Sequence, residues 1–191
     1  MTYSLPQPKR PNTARAITPQ TINVRRAIVD DVPAIVSLVN SHALNGTILP
    51  RSTNAVYATI DDWFVAVAGS ELLGCVSLLG YASGLVEVRS LVVGTRYRNL
   101  GIGSRLMQAL LAEARQRRIT TLFALTRKVS FFERFDFLIS ERNLFPEKVW
   151  QDCQQCPLLE ACDETAMFWL FADDSGPDSQ KQAAPPKPNK T

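Results

Sequence analysis

At 191 residues, 46% of them hydrophobic, the chain can bury a sizeable core in one domain. Its formal charge of +3 comes from mixed signs through the body, which argues against a nucleic-acid binder. No apolar run approaches the ~20 residues of a membrane span, and residues 1–21 lack the apolar stretch of a secretory signal. The expectation is a cytoplasmic protein with neither membrane nor nucleic-acid partners.

Residues 1–20 hold four prolines, with Lys9, Arg10 and Arg15 and no acidic residue. That composition faintly resembles a transit peptide but predicts a disordered arm. The folded domain is expected over 21–172. Ile22 to Ala27 reads as a first strand. Asp30 and Asp31 stand where an N-cap would, with Pro33 in the first turn of a helix whose apolar face is Ala34, Ile35, Leu38 and Val39. His42, the only histidine, falls at the end of this helix, where the dipole favours a capping or surface role. Asn45 to Ser52 is a loop. Trp63 to Ala68 and Leu72 to Leu79 form a hairpin about Gly69-Ser70. Gly80 to Gly84, with Tyr81 and Ser83, turns the chain again, and Glu87 to Val93 is a buried central strand. A strand over Thr121 to Thr126, a short helix over Val129 to Phe135, a strand opening at Phe137 to Ile139 and a last strand over Ala166 to Phe171 complete the domain. This order predicts an α+β fold with a mixed sheet. From Asp173 onward the Pro/Lys/Gln/Ser-rich chain reads as a disordered tail over 173–191.

Between the central strand and a helix starting near Leu106 lies Arg98-Asn99-Leu100-Gly101-Ile102-Gly103-Ser104-Arg105. A Gly-x-Gly loop opening onto a helix N-terminus offers free backbone N–H groups and the positive end of a helix dipole. The pair alone is equally a tight strand-to-helix turn. It lacks the third glycine of a dinucleotide fingerprint and the Gly-Lys-Ser/Thr of a P-loop. The full spelling Arg-x-x-Gly-x-Gly after a strand resembles the pyrophosphate motif of the GNAT acyltransferases, as do the flanking Val92 to Arg98 and Gly101 to Met107. The resemblance implies a GNAT fold, a mixed and mostly antiparallel central sheet flanked by helices, with acetyl-CoA as cosubstrate. It also implies that the central strand and the next one splay apart. Backbone groups of Leu91, Val92 and Val93 would then meet the acetyl and pantetheine end, and those of Arg98, Asn99, Gly101, Ile102, Gly103 and Ser104 the pyrophosphate.

Within that superfamily the chain is most similar to short, single-domain bacterial N-acetylglutamate synthases. The similarity rests on Ile48-Leu49-Pro50-Arg51-Ser52, Glu87-Val88-Arg89-Ser90-Leu91 and Phe123-Ala124-Leu125-Thr126. It extends to Phe145-Pro146-Glu147-Lys148, Trp150-x-Asp152-Cys153-x-x-Cys156-Pro157 and Cys162-Asp163-Glu164-x-Ala166-Met167. Many GNAT enzymes carry a tyrosine acid in a pattern like Phe-Tyr-Glu-x-x-Gly-Phe. Here the stretch is Phe131-Phe132-Glu133-Arg134-Phe135-Asp136-Phe137, so Phe132 cannot give a proton and Asp136 replaces the glycine.

Acyl transfer to an amine needs a proton removed and an oxyanion stabilised, without a protein nucleophile. Glu87 would face the acceptor and is the candidate base; the competing reading is an ion pair with Arg89, on the same face of the strand. An acceptor with two carboxylates should meet guanidinium and ammonium groups, and Arg51, Arg89, Arg127 and Lys148 are nominated, each against a surface ion-pair role. Cys153, Cys156 and Cys162 suggest a zinc half-site that Asp152, Asp163 or Glu164 would have to complete. Packed reduced thiols or a redox-sensitive pair account for them as well, and no metal is expected. The expected activity is transfer of acetyl to the α-amine of L-glutamate, the first step of arginine biosynthesis. Another acceptor amine, or a regulatory module that binds acetyl-CoA without turnover, are the alternatives. Oligomeric state is left open, a homodimer included.

Overall fold

The structure, a computed structural model, describes residues 17–44, 46, 48–81, 84–145, 152–156 and 158–171. Lys148 and most of the two terminal segments expected to be disordered lie outside the described residues. Seven strands form one sheet: β1 (Asn23–Arg26), β2 (Trp63–Ala68), β3 (Glu71–Gly80), β4 (Val86–Val93), β5 (Thr121–Thr126), β6 (Leu138–Ser140) and β7 (Thr165–Leu170). Their spatial order is β1-β2-β3-β4-β5-β7-β6. Every neighbouring pair is antiparallel except β4 and β5. Among the described residues four α-helices accompany the sheet: α1 (Val32–Ala43), α2 (Thr53–Ala58), α3 (Ile102–Gln116) and α4 (Val129–Glu133). The α+β fold with a mixed, mostly antiparallel sheet is the one expected.

Strand alternation sorts side chains into two layers. Phe64 and Ala66 of β2 join a core with Ile102, Leu106, Met107 and Leu110 of α3. Trp63, Val65 and Val67 of the same strand point the other way, onto Val32, Ile35 and Val39 of α1 and Val56 of α2. Fully burying a side chain of this size is worth ~1.5–3 kcal/mol, so the two layers hold the sheet from both sides. Gly74 of β3 permits the close approach of α3. A Cβ there would lie 2.9 Å from the Val92 carbonyl oxygen and 3.1 Å from Ile102 Cγ2.

Several local details differ from expectation. Helix α2 follows the Asn45 to Ser52 loop and was not foreseen; Ser52 caps it, accepting from the Ala55 N–H at 3.2 Å. Ala34 is exposed, and the buried face of α1 is Val32, Ile35 and Val39. Asp31 is the N-cap residue of α1, but its carboxylate accepts from the Ile28 N–H and, through both oxygens, from Arg25. Asp136 has φ of 64°, which explains why a glycine suits that turn and why aspartate, which tolerates the left-handed region, can replace it.

Glu113 of α3 is buried and pairs with Arg26 of β1 and with Arg117, which also reaches Asp62. Burial alone would raise its pKa, but hydrogen bonds from Arg117 and Arg26 hold it below the ordinary 4.5. The stability this pairing lends is therefore complete above the ordinary carboxylate range and is lost as pH falls through the depressed native value. Glu113→Gln should cost about 2 kcal/mol at pH 7 in denaturant unfolding. The gap between the two proteins should close as the titration is carried into acid.

Candidate active site

β4 and β5 share a parallel ladder only at Val86↔Leu122 and Glu87↔Phe123. Beyond Glu87 the strands part, and Leu91, Val92 and Val93 lie past the end of the shared ladder. Their other neighbour, β3, still pairs with β4 through Cys75↔Val92 and Gly74↔Val93. The register between β3 and β4 slips by one residue beside Ser90, whose φ of 55° marks a bulge. The slip has a measurable result. Val88 belongs to the α3 layer and Val92 to the α1 layer, although unbroken alternation would put both on one face. Leu91 and Val93 consequently pack toward α3.

The chain leaves β4 through a short 3-10 turn, Thr95–Tyr97, and reaches α3 through Arg98 to Gly101. Asn99 and Gly101 both take left-handed φ values, 65° and 73°. Gly101 is the N-cap of α3, and the first intrahelical bond is Arg105 N–H to Gly101 O at 3.1 Å. The N–H groups of Ile102, Gly103 and Ser104 precede that bond and point out of the helix end, as anion-binding termini do. Phe131 of α4 flanks this turn. A Cβ on Gly103 would lie 3.4 Å from its ring and 3.8 Å from Val93 Cγ2. Phe132 is buried in the α3 layer among apolar groups and carries no proton.

On the opposite face of β4 stand Glu87 and Arg89. Glu87 is 3% exposed, and its Oε2 accepts a hydrogen bond from the Tyr81 hydroxyl at 2.7 Å. The electrostatic environment of Arg89 comprises Arg51, Glu87, Asp152 and Tyr81. Burial, and next the Arg51 cation, hold the Arg89 guanidinium below its ordinary pKa against the pull of the two carboxylates and the phenol. Arg51 is brought here by its backbone. The Asn40 side chain of α1 donates to the Arg51 carbonyl at 3.1 Å and accepts from its N–H at 2.9 Å. Its guanidinium reaches Asp152 at 3.3 Å. The Nε atoms of both arginines are buried and have no hydrogen-bond partner among the described residues.

The other nominated groups are placed differently. Arg127 is held by Asp163 and Glu164 across the β5–β7 edge. His42 ends α1, with Nδ1 3.1 Å from the Leu38 carbonyl oxygen. Cys75 and Cys153 are buried, and Cys156 and Cys162 are half-buried. Among the described residues no group of three His, Cys, Asp or Glu side chains is placed to hold a metal ion. Sequence reasoning passed over two residues, Tyr81 and Asn40. Tyr81 was legible only as an aromatic in a turn, and Asn40 only as a polar residue on a helix.

Residues 46–137 match the acetyltransferase (GNAT) family. An uncharacterized N-acetyltransferase of Chlorobaculum tepidum is 37% identical over 144 residues, covering 75% of this chain and 93% of the relative. The chain belongs to the GNAT acetyltransferase family. It is accordingly an N-acetyltransferase that depends on acetyl-CoA. An amino-acid acetyltransferase of Mycobacterium tuberculosis is 31% identical over 68% of this chain and 72% of that one. The amino-acid acetyltransferase of Shewanella oneidensis is 28% identical over 69% of this chain, which spans only 30% of that longer protein. Among solved structures, a Mycobacterium tuberculosis protein in complex with CoA superposes with a TM-score of 0.67 at 26% identity, over 78% of this chain and 99% of that one. N-acetylglutamate synthase from Neisseria gonorrhoeae shares the fold, with a TM-score of 0.70 at 23% identity over 80% of this chain and 35% of that one. Among the described residues no helix is long and apolar enough to cross a membrane.

Gly74 links the sheet to the turn that opens α3, and its replacement tests that link. Gly74→Ala should force α3 outward and cost about 1–3 kcal/mol in unfolding. Calorimetry of CoA binding should show a weakened affinity in the folded fraction.

Proposed function

We propose that the protein transfers acetyl from acetyl-CoA to the α-amine of L-glutamate, the reaction that opens arginine biosynthesis, in a cytoplasmic setting. The observation that carries the acceptor is the pair Arg51 and Arg89, drawn together beside Glu87 with buried Nε atoms that have no partner among the described residues. Half-buried guanidinium groups with unused donors suit a carboxylate, which they bind through two oxygens. The relatives named amino-acid acetyltransferase support the same class of acceptor.

Acetyl-CoA would lie where β4 leaves β5. Backbone groups of Leu91, Val92 and Val93 would meet its acetyl and pantetheine end. The N–H groups of Arg98, Asn99, Gly101, Ile102, Gly103 and Ser104 would hold its pyrophosphate, where helix dipole and unbonded donors add. Glu87 would take a proton from the acceptor ammonium. The freed nitrogen lone pair then forms the N–C bond; as the C–S bond breaks the nitrogen gives up its second proton to solvent, and the CoA thiolate leaves and is protonated from solvent. Arg51 and Arg89 would hold carboxylate groups of glutamate. Arg127, already engaged by Asp163 and Glu164, would border the site rather than grip the substrate, and Lys148 stays a nominee from the sequence.

Turnover is measured as free thiol across L-glutamate, other amino acids and polyamines. Saturable turnover with L-glutamate, and a product with the mass of N-acetylglutamate, is expected; turnover with other amines alone would discard this acceptor. Arg89→Ala should raise the glutamate KM by about tenfold or more, the loss of one charge-assisted pair, with acetyl-CoA KM unchanged within about twofold. Equal rises in both would sink the acceptor role of Arg89.

A further inference from the structure

Tyr81 lies neither on the pyrophosphate turn nor in the arginine pair, yet the structure fixes it firmly. Its N–H donates to the Leu85 carbonyl at 2.8 Å, and its own carbonyl accepts from the Gly84 N–H at 3.0 Å. Its ring lies 5.6 Å from that of Phe123, which stacks on Phe145 at 4.3 Å. The hydroxyl cannot swing away without breaking the turn or the aromatic stack. It donates to Glu87 Oε2 at 2.7 Å, at the point where the β4–β5 ladder ends.

We infer that Tyr81 is a positioning residue for the reaction, its buried hydroxyl holding the Glu87 carboxyl group in place to take the proton of the acceptor ammonium. The inference rests on the base role proposed for Glu87. A hydrogen bond to one carboxyl oxygen restrains rotation of the carboxyl plane. It also stabilises the charged form, which burial opposes. Burial, and next the Glu87 charge, push the Tyr81 phenol well above its ordinary value, so it stays protonated and donates throughout the working pH range. Among the described residues, Arg89 on β4, Arg51 from the loop before α2 and Asp152 from the C-terminal turn also act electrostatically on this group, and the Tyr81 hydroxyl touches Glu87 directly.

Tyr81→Phe keeps the ring and removes the donor. Carbon-13 NMR titration of the glutamate side chains of the full chain reads Glu87 without any substrate, its signal identified by its loss in Glu87→Gln. The midpoint should rise by about one pH unit in Tyr81→Phe, a tenfold change in proton affinity. In steady state with L-glutamate and acetyl-CoA, the acid limb of kcat/KM should move up equally. At the same time kcat should fall about tenfold, with acetyl-CoA KM unchanged. In a Glu87→Gln background the same change should have no further effect. An unmoved midpoint, or effects that simply add, would overturn the inference. Should Tyr81→Phe fail to fold, 3-fluorotyrosine at position 81, a stronger donor of nearly the same shape, must lower the midpoint; no lowering overturns the inference too. Wild-type turnover by Glu87→Gln would overturn the base role itself, and the positioning role with it, whatever the titration shows.

Discussion

β4 and β5 run parallel and share a ladder only at Val86 and Glu87, and that short ladder governs the rest of the structure. In a closed sheet, the backbone groups of Leu91 to Val93 on the β5 side would be spent on strand pairing. Here they lie past the last shared pair and can meet a ligand instead, while β3 still holds them in place. The bulge at Ser90 makes this possible without losing the core. It turns Leu91 and Val93 to the α3 layer and Val92 to the α1 layer, so both layers stay filled on either side of the parting. Up to Arg89 the strand presents charge to the α1 side; after the bulge it presents apolar surface to α3. One extra residue thus separates the proposed acceptor side of the site from its proposed CoA side.

The Arg51–Arg89 group keeps charge where burial opposes it. Two guanidinium groups near one another repel, and burial penalises both. The structure offsets this with Asp152 beside Arg51 and Glu87 beside Arg89, but with little geometric generosity. The Arg51–Asp152 contact is a single one at 3.3 Å, and among the described residues both Nε atoms lack hydrogen-bond partners. Contrast Arg25, which meets both oxygens of Asp31 at 2.6 and 3.0 Å. The first pair keeps donors in reserve and the second is complete, a difference that suits the proposed role of the first in receiving an anion.

Much of the fold was legible in the sequence, and the failures have physical causes. The β2–β3 hairpin and β5 stood out because alternation and turn residues agree over them; the observed span of β5, Thr121–Thr126, is the expected one. The Gly101 turn was legible because a left-handed N-cap leaves few residue choices. Helix α2 was missed because six residues are too few to show a period, although Ser52 was a visible cap. Ala34 was misplaced because a small side chain fits either edge of an apolar stripe. The shared face of Glu87 and Arg89 follows from alternation alone. The pairing of Arg127 does not. It depends on Thr126 meeting Thr165 in the β5–β7 ladder, which sets Asp163 and Glu164 beside it, and nothing local announces that meeting.

The same logic bears on the phenylalanine at position 132. An acid at that point would protonate the departing sulfur, but a thiol with a pKa near 8.5 is a tolerable leaving group as its anion close to neutral pH. The amine is the harder partner, because as an ammonium ion it has no lone pair with which to attack. On the proposed reading, a site that spends its polar groups on removing that proton meets the greater need: Tyr81 is buried against Glu87, while Phe132 lies inside the α3 core and Phe131 beside Gly103. Were acetyl-CoA bound beside that apolar surface, each backbone N–H aimed at a developing oxyanion would act more strongly than it does in water.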